Sequence, residues 1–159
     1  MENLSSYLND HLAGAVAALE LIDHLIKTHT GQPLESFFKK LRKDIEADRE
    51  ALRDVLRKCG AKESLARKAG AWIAEKLGRT KIELAGEKFG ELGLMQALEA
   101  LVLGITGKQL LWRALAATMA NSRALQNVDL GKLEERAIEQ VERVEAKRLE
   151  AARETLRST

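Results

Sequence analysis

Apolar residues recur at spacings of three and four along four long stretches of the chain, the period of helices that bury one face. The first stretch runs Leu8, Leu12, Ala15, Leu19, Ile22 and Ile26, with Ser5 or Ser6 suited to cap its start and Thr30-Gly31 to end it. The second opens on Gln32-Pro33, which puts proline in its favoured first-turn place, carries Leu34, Phe37, Phe38, Leu41, Ile45, Leu52, Val55 and Leu56 on one side, and stops at Gly60. The third, from Leu92 to Ala120, is the most apolar long segment and is expected to be the spine on which the others pack. Asp129 can cap the fourth, whose inward side carries Leu130, Leu133, Ala137, Val141, Val144, Ala151 and Ala152. Between the second and third, Ser64 can cap a shorter helix with Leu65, Ala69, Trp72, Ile73 and Leu77, closed by Gly78.

The pattern thus predicts helices over about 5–29, 33–59, 64–77, 91–120 and 129–157 in a single domain spanning 1–159. The four long ones would each reach ~40 Å at the rise of an α-helix. Short connections join the first to the second and the third to the fourth, so each pair should be antiparallel neighbours. The middle connection, about 30 residues, can run the length of a bundle and leave helix 3 parallel to helix 2. The expected fold is therefore all-α, a ferritin-like four-helix bundle with a long, helix-containing crossover between helices 2 and 3.

Composition agrees with helix and limits the partners. Apolar residues make up 45% of the chain and charged residues 31%, against 4% aromatics and one proline, a mix that favours helix over sheet. The formal charge of +2 gives no global drive toward nucleic acid or an anionic membrane, and neither is expected as a partner. No apolar run approaches the ~18 residues of a spanning helix. Cys59 is the single cysteine, so no disulfide forms within the chain, and a cytoplasmic location is expected. The crossover is locally basic, with Lys58, Lys62, Arg67, Lys68, Lys76, Arg79, Lys81 and Lys88 outnumbering Glu63, Glu75, Glu83 and Glu87, and is read as a solvated face rather than a binding patch.

Ferritin-like bundles are best known for a pair of metal ions held by a Glu from each of two helices and a Glu-x-x-His pair from each of the others. His11, His24 and His29 are the only histidines, and three residues before them stand Leu8, Leu21 and Ile26. The di-metal motif is absent, and no metal or other cofactor is expected. No P-loop occurs, and no Ser or Cys has a neighbouring His to activate it, so no catalytic residue is assigned.

The stretches YLNDHLAG (Tyr7 to Gly14), DIEADREAL (Asp44 to Leu52), AGAWIAEKLGRTK (Ala69 to Lys81) and LEALVLGITGKQLLWRAL (Leu98 to Leu115) resemble a group of uncharacterised bacterial ferritin-like four-helix-bundle proteins that lack the Glu-x-x-His motifs. The resemblance spans most of the chain, with the third and fourth stretches the more specific. It implies the fold and carries no activity.

Any site must then come from polar residues on inward faces. Asp48 lies between Ile45 and Leu52 on the apolar side of helix 2, His11 between Leu8 and Ala15 on helix 1, and Lys108 among Leu101, Ile105 and Trp112 on helix 3. Counting from the first turn puts His11 and Asp48 within about one helical turn, and Lys108 is level with Asp48 if helices 2 and 3 start together. These three are the candidate buried polar cluster or ligand-binding site, with the Lys108 ammonium supplying the positive charge a metal would otherwise bring. The alternative is that the three border the core and snorkel to water. Glu20 with His24 reads as a solvated pair, His29 as a complement to a helix C-terminus, Arg148 as a partner of Glu99 or Glu145, and Trp72 and Trp112 as core.

The leading expectation is a non-catalytic structural or protein-interaction module that forms a homo-oligomer, a dimer first among them. The alternative is a small-ligand or atypical metal-binding protein, an enzyme among the options, that uses His11, Asp48 and Lys108.

Overall fold

The computed structural model describes residues 2–64 and 91–157. Among them stand four helices and no strand: α1 Glu2–Thr28, α2 Pro33–Lys58, α3 Glu91–Met119 and α4 Leu130–Arg157.

The ends follow local chemistry. α1 begins at Glu2 rather than at Ser5 or Ser6, and an acidic residue in the first turn complements the positive end of the helix dipole. Gly31, at φ 79°, turns the chain, and its N–H donates to Glu35 Oε2 at 2.8 Å. Gln32 is the N-cap of α2, and Pro33 fills the first turn without a missing donor being felt. α2 stops in a Schellman arrangement: Gly60 at φ 69°, its N–H donating to Arg57 O and the Ala61 N–H to Leu56 O, each at 3.0 Å. Asp129 caps α4, with its Oδ1 accepting from the Lys132 N–H at 2.9 Å.

Long side chains fix the helix directions. Arg42 Nε donates to Asp23 Oδ1 at 2.6 Å, and Asn9 near the start of α1 donates to Lys62 O at 3.0 Å beyond the end of α2, so α1 and α2 are antiparallel. Arg113 reaches Glu134 at 2.6 Å and Arg148 reaches Glu99 at 3.2 Å, which makes α3 and α4 antiparallel. Arg143 on α4 pairs with Asp44 on α2 at 2.6 Å, while Gln140 and Arg136, earlier on α4, reach Asp48, later on α2. α2 therefore runs against α4 and along α3. The segment that joins α2 to α3 lies outside the described residues, and with it the expected helix over 64–77, Trp72 and the basic residues from Arg67 to Lys88.

The core lies between the two hairpins, with Leu8, Leu12, Ile22, Leu25, Phe38, Leu41, Leu98, Leu101, Leu111, Trp112, Leu115, Ala137 and Val144 buried. α3 packs chiefly on α4 and more lightly on α1, and is not encircled as a central spine. One inward stripe serves a helix of a bundle, and α3 carries more apolar residues than that stripe uses. Leu103 and Leu110 are accordingly 72% and 53% exposed.

Candidate functional site: a mid-bundle ion network beside a cavity

α2 is amphipathic, and its inward stripe includes a carboxylate. Asp48 sits where Ile45 and Leu52 continue the core, and it is 2% exposed. An ionised carboxylate so placed is costly unless charged and hydrogen-bonding partners meet it. Lys108 Nζ donates to Asp48 Oδ2 at 2.5 Å and to Gln140 Oε1 at 2.5 Å. Gln140 Nε2 donates to the same Asp48 Oδ2 at 2.8 Å, closing a triangle of side chains from three helices. Arg136, one turn before Gln140, brings its guanidinium to 2.7 Å from Asp48 Oδ1. That approach lacks hydrogen-bond geometry and acts through charge.

Burial pushes the Lys108 amine below the usual lysine range, and the nearby Arg136 charge adds to the shift. Asp48, by charge and hydrogen bond, and Asp44, by charge, pull it back up. Only 14% of the Lys108 side chain is exposed, so its ammonium is held by Asp48 and Gln140 rather than by bulk water. It does not snorkel.

His11 lies on the wall of the same region without a hydrogen bond to Asp48 or Lys108. Its ring meets the edge of Tyr7 at a centroid distance of 4.7 Å and an interplanar angle of 79°. Burial lowers the His11 pKa, and the charge of Asp10 works weakly the other way. The structure thus joins Asp48 to Lys108 and sets His11 beside them. Gln140 and Arg136 escape the sequence reading. Gln140 interrupts the stripe between Ala137 and Val144, a visible signal, whereas Arg136 at the stripe's edge carries none.

Beside this network lies a partly open cavity of about 260 Å³ between α1, α2 and α3. Ala15 and Ala18, Ile45 and Leu52, and Ile105 and Leu111 supply apolar walls, and His11, Asp48 and Lys108 also line it. Gly104 and Gly107 leave one wall without side chains, and a Cβ at either would meet nothing within 4 Å. Trp112 also lines the cavity; it is fully buried, and its indole N–H has no acceptor among the described residues.

His29, Arg148, Glu20 and His24 do not line the cavity. Buried His29 contacts Leu25 O at 2.8 Å and Thr28 Oγ1 at 3.0 Å through Nδ1, and packs on Phe38. Arg148 pairs with both Glu145 and Glu99. Glu20 is exposed whereas His24 is half-buried.

A di-metal centre does not fit these residues. One carboxylate, Asp48, faces an ammonium and a guanidinium, and two cations already supply its counter-charge. Among the described residues no group of three or more His, Cys, Asp or Glu converges, and no helix is long and apolar enough to cross a membrane. The class defined by the fold is an all-α helical bundle. No family model, curated protein or solved structure matches the chain.

Proposed function

We propose that this chain is a non-catalytic ferritin-like bundle that binds a small, largely apolar molecule between α1, α2 and α3. The Lys108 ammonium stands at mid-bundle, where ferritin-like proteins hold metal. The observation that carries this reading is the position of the cavity, directly against the Asp48–Lys108 pair. Apolar walls with a few convergent polar groups are the usual make-up of a ligand pocket. An apolar cavity of ~150 Å³ takes benzene, so about 260 Å³ suits a bicyclic aromatic or a medium-chain aliphatic molecule.

Thermal denaturation with 1-octanol as probe tests the proposal. A ligand that binds only the folded state raises the melting temperature in proportion to occupancy. Wild-type protein is expected to gain several degrees as octanol rises, and Gly104→Leu, which fills the wall, is expected to gain none. Equal responses in the two proteins would contradict binding at this place.

A second reading, a protein-interaction module that self-associates, is favoured by Leu103 and Leu110, seven residues apart on one side of α3 and mostly exposed.

A further inference from the structure

The polar end of the cavity has unused donors, and its buried acceptor without a hydrogen bond, Asp48 Oδ1, is met by the charge of Arg136. A lysine ammonium carries three N–H donors. Two of those on Lys108 go to Asp48 and Gln140, and the third has no acceptor among the described residues. The Trp112 indole N–H, fully buried on the same cavity, has none either. Asp48 Oδ2 already accepts twice, and its Oδ1 faces Arg136.

Charge points the same way. Lys108 and Arg136 set two positive charges against the single negative charge of Asp48. The neighbouring ions have their own partners: Arg143 pairs with Asp44, and Glu46 and Glu50 are shared among Arg42, Arg49 and Arg53. Asp10, on the same wall, is exposed and screened by water. His11, its pKa lowered by burial, is neutral at pH 7.

Resting on the ligand-binding reading above, we infer that the occupant is a small apolar carboxylic acid bound as its carboxylate, with the carboxylate toward Lys108 and Trp112 and the apolar body along Ala15, Ile45 and Ile105. The carboxylate accepts the two free N–H groups and neutralises the surplus positive charge. Its hydrocarbon part fills the space left by Gly104 and Gly107.

Calorimetric titration of the full chain at pH 7 with octanoate, 1-octanol and octylamine, matched in length and differing in head group, tests the inference. Octanoate should bind about tenfold more tightly than octanol, the margin of one charge-assisted hydrogen bond over a neutral one, and octylamine most weakly. Trp112→Phe, which removes the N–H and keeps an aromatic ring, should cut the affinity for octanoate several-fold more than that for octanol. Gly104→Leu should abolish binding of both. Octanol binding as tightly as octanoate, or octylamine binding tightest, would overturn the acid assignment and leave the pocket standing. Failure of all three probes would overturn the pocket as well. If Trp112→Phe does not fold, the acid-to-alcohol ratio in the wild-type protein decides alone.

Discussion

A buried carboxylate makes its partners indispensable. Asp48 is 2% exposed, and Lys108 and Gln140 satisfy the oxygen that Arg136 does not face. Lys108→Met should therefore destabilise the fold by about 3 kcal/mol, the low end for breaking a buried pair, because Arg136 still faces the carboxylate. Replacing the whole triangle with Asp48→Leu, Lys108→Met and Gln140→Leu should cost less than the single change, as apolar residues of similar volume often match a buried ion pair. Chemical denaturation of the two variants measures both values, and a triple variant weaker than the single one would contradict the picture. His11 gives a pH signature. Its folded pKa lies below the ordinary 6.5 because burial disfavours the imidazolium. The unfolded chain therefore binds a proton first, and stability is lost as pH falls from 6.5 toward the lower folded value. His11→Gln should lose less stability than wild type between pH 7.5 and pH 5.5, as read from denaturation midpoints. Asp48 and Lys108 are visible in the sequence because each breaks an apolar stripe, and a charge there needs a partner. Gln140 breaks one too, but an uncharged amide raises no such demand, and Arg136 lies on a border where arginine is ordinary.

Helix boundaries are the part of the fold most legible from the sequence, since Gly31, Pro33, Gly60 and Asp129 act through local backbone chemistry that needs no tertiary context. Two of them can be weighed. Gly60→Ala forces a side chain into φ 69° and should destabilise by about 1 kcal/mol. Gly107→Ala, in the interior of α3 with nothing within 4 Å of the new Cβ, should stabilise by up to about 1 kcal/mol through helix propensity. Melting of both variants gives opposite signs if the two glycines serve as described, a turn in one and an open wall in the other. The place of α3 was less legible. Its density of apolar residues suggests a spine, yet density does not say which residues are buried, and Leu103, on the lining of the cavity, and Leu110 are left mostly exposed. The cavity was not legible at all, because Gly104 and Gly107 read in sequence as weak helix formers, and only their position opposite Ala15 and Ile45 makes them a wall.

At the scale of the molecule, two antiparallel hairpins meet so that α2 and α3 run the same way, and the charged residues of α2 and α4 close across the middle through Asp44–Arg143 and Asp48–Arg136. Helix order and loop length foreshadow the hairpins, because a short connection leaves an antiparallel neighbour as the simple outcome. Sequence does not say how tightly the hairpins close, and the space between α1, α2 and α3 depends on that. The exposed pair on α3 bears on assembly: light scattering at micromolar concentration should find a dimer that Leu103→Lys with Leu110→Lys turns into monomer, and a wild-type protein that is wholly monomeric would rule out self-association through this face. Crystals grown with 8-bromooctanoate show whether the cavity beside Lys108 holds an apolar acid. The bromine anomalous signal is expected inside the bundle, along the walls of Ala15, Ile45 and Ile105, with the carboxylate at Lys108 Nζ. A signal confined to the outer surface, or none at saturating probe, would contradict the account.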